Sequence, residues 1–182
     1  MSKKNQSQNF IKTGKRVISS EARALAKLEN SIGKSFSDAI ELLLGASGRI
    51  ILSGMGKSGH IARKITATLT STGTPAHFLH PAEASHGDLG MITKGDVLIL
   101  LSNSGETPEL VNIISYAKRF RVPLIGIASN PSSSLLKNAN ISILLPKAKE
   151  ACNSNIVPTT STTMALALGD AIAITIMEFR QF

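Results

Sequence analysis

Short apolar segments alternate with segments of helical periodicity through most of this sequence. The runs at 97–101 and 124–128 consist almost entirely of Leu, Ile, Val, Ala and Gly, as in strands that are buried on both faces. Residues 106–120 and 160–180 instead repeat apolar side chains at helical spacing. This alternation predicts an α/β fold, in which helices cover both faces of a doubly wound parallel sheet.

Five strands are expected in this sheet, within GRIILSG, AHFLH, DVLILLS, VPLIGIAS and ISILLP. A chain of 182 residues suits one hydrophobic core. Residues 1–45 read as an N-terminal helical arm that packs on the same domain, and residues 46–182 as that domain. Ligands of such sheets bind outside the carboxyl ends of the strands, so the loops there are the candidate site.

Cysteine use and hydropathy exclude several classes of protein. One cysteine without a Cys/His cluster argues against disulfides and against a metal site, and favours the cytoplasm. The N-terminus lacks the apolar stretch of a secretory signal. The apolar segment 164–177 is shorter than the roughly 20 residues that span a bilayer, and it contains Asp170. We therefore expect a buried helix there and no membrane association.

The formal charge of +8 is concentrated in the first 34 residues, where few aromatic side chains accompany the basic ones. This pattern favours a solvated basic helix over a nucleic-acid surface, and no nucleic-acid partner is expected. A positive protein field also suits an anionic substrate.

The turn GMGKSG, residues 54–59, joins a predicted strand to a predicted helix and satisfies G-x-G-x-x-G. A dinucleotide site would also place an acid at the end of the second strand, but AHFLHP ends in His80 and Pro81. A P-loop fails because Ile51 stands where its first glycine is required. Glycines that serve only packing remain an alternative.

The loop SNSGET, residues 102–107, offers three hydroxyls and an amide just before a helix. Hydroxyls and the free N–H groups of a helix start donate to phosphate oxygens, so the loop suits a monophosphate. The alternative is an ordinary helix N-cap formed by Ser104, with Pro108 in the first turn.

These motifs resemble the SIS domain of sugar isomerases, in which S-x-S-G-x-T holds the sugar phosphate. GMGKSGH, HPAEASHGDLGM, SNSGETPE, AKEAC and PTTSTTMALALGDA are similar, in this order, to the arabinose-5-phosphate isomerases. The resemblance implies a five-stranded, flavodoxin-like three-layer sandwich that interconverts D-ribulose 5-phosphate and D-arabinose 5-phosphate for 3-deoxy-octulosonate and lipopolysaccharide synthesis. The substrate-binding residues that it implies are Ser53, Gly54, Ser102, Asn103, Ser104, Gly105 and Thr107.

Enediol chemistry needs a base, an acid and a cation, and no cofactor or metal. By resemblance Glu150 is the base that moves the proton between the two carbons, and Glu109 is a second functional carboxylate. Lys57 would stabilise the developing negative charge, and His86 would open the sugar ring. Without the family, Lys57 could equally be a surface lysine, His86 a loop histidine, and Glu109 a helix-dipole residue.

Longer family members continue past the last helix with another functional histidine and, usually, a pair of CBS domains. A chain without them could be a sugar-phosphate-binding module without turnover, which is the alternative function. The family also builds its sites from several subunits, and the last helix is apolar on several sides, so a homodimer or homotetramer is expected.

Overall fold

The computed structural model describes residues 3–182, with side chains from Gln6 onward. Met1 and Ser2 of the expected helical arm lie outside the described residues. The strands are β1 (Ile50–Gly54), β2 (Ala76–Phe78), β3 (Val97–Leu101), β4 (Leu124–Ala128) and β5 (Ile141–Leu144). The helices are α1 (Lys3–Ser31), α2 (Lys34–Leu44), α3 (Gly56–Ser71), α4 (Pro81–Ser85), α5 (Val111–Phe120), α6 (Ser134–Asn138) and α7 (Thr160–Arg180). Two short 3₁₀ turns span Asp88–Met91 and Pro108–Leu110.

The five strands form one parallel sheet in the order β2-β1-β3-β4-β5, which confirms the predicted doubly wound fold. The chain runs outward from β1 to β2, and then returns past β1 to continue through β3 in the other direction. The reversal lies between β1 and β3, where Gly54 pairs with Leu101. Ligands bind at such a switch point, beyond the carboxyl ends of the two strands.

Helices cover both faces of the sheet and produce two hydrophobic cores. Helices α1, α2, α3 and α7 pack on one face, around side chains such as Leu52, Ile99 and Ile127. Helices α4, α5 and α6 pack on the other face, around side chains such as Leu98, Leu100 and Leu124. Because side chains alternate between faces along a strand, β3 supplies both cores from consecutive residues.

Helix α7 is long and apolar enough to cross a membrane by length and composition alone. In the fold it contacts α1, α2 and α3, and Leu168, Ile172 and Ile176 are buried there. Its close approach to α3 depends on Gly169, since a Cβ at this position would lie 2.3 Å from the side chain of Ile65. The sequence predicted a buried helix; the structure buries one side of it in the core, while Ile174 and Phe179 on the same helix are exposed.

A buried carboxylate joins the amino ends of β1 and β3. The side chain of Asp96 has no exposed surface and accepts hydrogen bonds from the backbone N–H of Arg49 at 2.7 Å and of Thr93 at 2.8 Å. The Arg49 guanidinium and the Thr93 hydroxyl donate as well, each at 3.1 Å. Burial alone would raise the pKa of Asp96, but these donors outweigh it and the pKa is lowered.

Replacement of Asp96 by Asn should lower the free energy of unfolding at neutral pH by about 1–3 kcal/mol, because two backbone donors lose a charged acceptor. Since folding lowers the pKa of Asp96, its contribution is complete above the unfolded pKa and is lost as pH falls through the folded one. The difference between wild type and Asp96→Asn in urea unfolding should therefore shrink below about pH 4. The control is Asp38→Asn, which removes the carboxylate of an exposed ion pair with Lys34 and should change the free energy of unfolding little. An equal loss of stability in both variants would contradict the prediction.

Candidate functional site

The loop of residues 102–107 folds back on itself directly after β3. The hydroxyls of Ser102 and Thr107 are hydrogen-bonded at 2.7 Å. The Ser102 hydroxyl also accepts from the N–H of Gly105 at 3.0 Å, and the Ser104 hydroxyl accepts from the N–H of Glu106 at 3.2 Å. The loop is therefore compact, and its three hydroxyls form hydrogen bonds within the loop itself.

The segment that follows β4 stabilises the loop of residues 102–107, which we call the phosphate loop after its predicted ligand. The carbonyl of Asn103 accepts from the N–H and the hydroxyl of Ser129, at 2.9 and 2.7 Å. The carboxylate of Glu106 accepts from the N–H and the hydroxyl of Ser134, and these bonds lower the pKa of Glu106. Gly105 has φ 69° and lies so close to Ser133 that a Cβ would sit 2.2 Å from its hydroxyl. A larger residue would displace the loop.

A small cavity of about 50 Å³ opens beside the phosphate loop, between β3, α3 and the start of α7. Ser102 and Asn103 line one side of it, and Ser58, Ser161 and Thr162 line the others. Ser161 and Thr162 were not among the predicted site residues. The available signal was the hydroxyl-rich run PTTSTT before the last helix, which has the same chemistry as SNSGET.

Ser53 and Gly54, which were also predicted to bind substrate, are fully buried at the end of β1. The Ser53 hydroxyl has no hydrogen-bond partner among the described residues. A Cβ on Gly54 would lie 3.0 Å from the carbonyl oxygen of Leu101, so glycine lets the two strand ends approach closely. Neither residue lines the cavity.

The carboxylate of Glu150 lies at the N-terminus of α7. It accepts from the N–H and the hydroxyl of Thr159, at 2.8 and 3.2 Å, and from the N–H of Ser161 at 3.2 Å. Partial burial favours the neutral form, but donors on Ser161 and Thr159 outweigh it and lower the pKa of Glu150. Glu150 is therefore ionised at neutral pH and is held beside a residue that lines the cavity.

The backbone around Glu150 is also fixed. Its N–H donates to the side chain of Asn155 at 2.6 Å, and the N–H of Ala151 donates to the Thr159 hydroxyl at 2.9 Å. From outside the loop, the guanidinium of Arg16 on α1 donates to the carbonyl of Ala151 at 2.7 Å. Helix α1 therefore contacts the segment that carries the candidate base, a connection that sequence reasoning missed.

The other three predicted catalytic residues are exposed. Lys57 lies in the first turn of α3, next to Ser58 of the cavity wall. Glu109 and His86 lie in the layer opposite Glu150, because α4 packs against the turn that contains Glu109, and Asn112 donates to Ser85 at 2.9 Å. One chain thus places Glu150 and Lys57 next to residues of the cavity wall, Ser161 and Ser58, and keeps Glu109 and His86 in the other layer.

His80 and Cys152, which are not among the predicted site residues, have defined surroundings. The imidazole of His80 accepts from the N–H of Ala82 at 3.3 Å and caps α4, which is a structural role. Cys152 interacts with the Ser154 hydroxyl and accepts from the N–H groups of Ile156 and Val157, and these bonds lower the pKa of its thiol. Within residues 3–182 no group of His, Cys, Asp and Glu has the arrangement of a metal site.

Known proteins match both the sequence and this geometry. Residues 43–175 match the model of the SIS domain family. Arabinose 5-phosphate isomerase KdsD of Pseudomonas aeruginosa is 51% identical over 180 residues, which are 98% of this chain and 55% of that protein. The Escherichia coli protein of the same name is 46% identical over 174 residues, 96% of this chain and 53% of that protein.

A solved structure of E. coli CFT073 c3406, in complex with arabinose 5-phosphate, superimposes with a TM-score of 0.94 at 38% identity. It covers all of this chain, which in turn covers 95% of it. By contrast, the chain spans about half the length of the curated relatives. The match to the family model and the identity to these relatives show that this chain belongs to the SIS domain family.

Proposed function

We propose that this protein is an aldose–ketose isomerase that interconverts D-ribulose 5-phosphate and D-arabinose 5-phosphate. The observation that carries the proposal is the ionised carboxylate of Glu150, held at the start of α7 beside the cavity of the phosphate loop. Two relatives named arabinose 5-phosphate isomerase and a similar structure that binds arabinose 5-phosphate support the choice of substrate. The reaction would take place in the cytoplasm and feed 3-deoxy-octulosonate and lipopolysaccharide synthesis.

The residues divide the chemistry between them. The hydroxyls of Ser102, Ser104 and Thr107 and the N–H groups of the loop would bind the phosphate, after the Ser102–Thr107 hydrogen bond opens. Glu150 would remove the proton from the carbon beside the carbonyl and return it to the neighbouring carbon. Lys57, in the first turn of α3, would stabilise the negative charge that develops on the enediolate. None of these steps requires a cofactor.

Replacement of Glu150 by Gln should abolish isomerisation, because the amide cannot accept the proton but keeps the size of the side chain. Proton NMR of D-ribulose 5-phosphate in heavy water would follow both arabinose 5-phosphate formation and deuterium incorporation. The matched control is Glu178→Gln, at an exposed glutamate near the end of α7. Full activity of Glu150→Gln would exclude Glu150 as the base. If arabinose 5-phosphate raised the melting temperature of the wild type but no turnover occurred, the protein would be a sugar-phosphate-binding module.

Removal of the Ser102 and Thr107 hydroxyls should weaken substrate binding more than turnover. Since a hydrogen bond to a charged group contributes roughly 1.5–3 kcal/mol, Ser102→Ala with Thr107→Ala should raise KM at least about tenfold. Steady-state kinetics would measure this, with Ser115→Ala and Thr70→Ala, at exposed hydroxyls of α5 and α3, as the control pair. An unchanged KM would contradict binding of the substrate phosphate by this loop.

We further propose that the active site is completed between subunits of a homodimer or homotetramer, with His86 serving the site of a neighbouring copy. The support is the position of His86 in the layer opposite Glu150, after the other edge strand of the sheet. Apolar side chains are also available for assembly, because Phe10, Ile11 and Ile18 of α1 are more than half exposed.

Mixed oligomers would test this arrangement. His86→Asn and Glu150→Gln should each be inactive alone, but equal mixing with subunit exchange should restore activity to about a quarter of wild type if dimers share two sites. This fraction arises because half of the dimers are mixed and one of their two sites is intact. Size-exclusion chromatography with light scattering would report the assembly, and mixtures that stay inactive despite exchange would place His86 in its own subunit's site.

A further inference from the structure

A basic groove runs between α1 and the segment that follows β5. Arg23 and Lys27 of α1 form one side, and Lys147 and Lys149 form the other. The groove has a volume of about 570 Å³, and the methyl groups of Ala24 and Ala148 line it between the charged side chains. We call this region the basic groove and define it by the four cationic residues.

The groove follows from the spacing of residues on α1. Arg16, Ser20, Arg23 and Lys27 are separated by four, three and four residues, so they share one face of the helix. At the Arg16 end this face is hydrogen-bonded to the carbonyl of Ala151. Further along, the helix and the segment separate and leave the groove open. Arg23 and Lys27, which the proposed isomerase does not use, are thereby directed into the groove.

The positive charge of the groove is not compensated by the described residues. The ion pairs among them join Lys34 to Asp38, Arg49 to Asp96 and Lys64 to Asp170, and no carboxylate lines the groove.

On α1, Arg23 donates to the hydroxyl of Ser19 at 2.6 Å, which leaves its charge unpaired. Lys27 lies four residues further on, and like charges at this spacing repel each other. An anion between the four side chains would relieve the repulsion on both sides of the groove.

We propose that the basic groove binds a small polyanion, a molecule with two or more phosphate or carboxylate groups. Two pairs of cations face each other across a space of the size that small ligands occupy. The lining contains no aromatic side chain on which a base could stack, so clustered negative charge is the feature that the groove recognises. The inference does not depend on the isomerase reaction.

The basic groove is separate from the phosphate loop. A cavity of about 340 Å³ lies between them, and it shares Lys147 and Ala148 with the groove and Asn103 with the loop. A polyanion could therefore occupy the groove while the phosphate loop is empty or filled. Lys149 directly precedes Glu150, so an anion bound in the groove would act electrostatically close to the candidate base.

Isothermal titration calorimetry with inorganic tripolyphosphate, at constant ionic strength, tests the proposal on the full chain. Binding at one site per chain is expected. Lys147→Gln with Lys149→Gln, and separately Arg23→Gln with Lys27→Gln, should each weaken the affinity at least about tenfold, since each removes one side of the site. Circular dichroism would verify that these surface variants remain folded.

Two controls make the outcome decisive. Lys94→Gln with Lys118→Gln removes the same amount of positive charge outside the groove and should leave the affinity for tripolyphosphate unchanged. If this variant weakened binding equally, the net charge of the protein and not the groove would account for the effect. Ser102→Ala with Thr107→Ala should also bind tripolyphosphate as the wild type does, and loss of binding there would place the anion in the phosphate loop. Absence of binding to the wild type would overturn the proposal. The proposal would also be overturned if the protein bound a single-stranded oligonucleotide through the groove residues but did not bind tripolyphosphate. The groove would then be a nucleic-acid surface.

Discussion

Parallel pairing of β1 with β3 is the constraint on which the rest of this structure depends. It places Gly54 opposite Leu101, and therefore brings the turn into α3 and the phosphate loop to the same edge of the sheet. Gly54 has no side chain, so the two strand ends can approach until a Cβ would already touch the carbonyl of Leu101. The positions of Lys57 and Ser102 relative to each other follow from this pairing.

In the proposed isomerase, the start of α7 would link substrate binding to the chemistry. Its free N–H groups hold the carboxylate of Glu150, and its Ser161 lies on the wall of the cavity that Ser102 also lines. The same hydrogen bonds that keep Glu150 ionised lower its basicity. A substrate that displaces one of these donors would therefore raise the basicity of the carboxylate at the moment when it must accept a proton.

The sequence was sufficient for the sheet, because buried parallel strands such as 97–101 are continuous apolar runs. It also located a hydroxyl-rich loop directly after β3, because Ser102, Ser104 and Thr107 lie within six residues; phosphate binding by this loop stays a prediction. The sequence was insufficient where the site joins residues that are far apart in the chain. Ser161 lines the same cavity as Ser102 only because the chain returns after β5, and Arg16 is hydrogen-bonded to Ala151, 135 positions away. The lowered pKa of the Cys152 thiol could not be predicted for a similar reason. Its hydrogen-bond donors depend on the conformation of a loop, and a loop has no periodic sequence pattern.

The layer built from α1, α2, α3 and α7 joins the first helix of the chain to the last. During synthesis at about 5–20 residues per second, α1 would be complete roughly 7 to 30 s before α7. Throughout that interval the face of α1 that contacts α7 in the fold lacks this partner. The hydrogen bonds from the start of α7 to Glu150 would therefore be among the last of the fold to form.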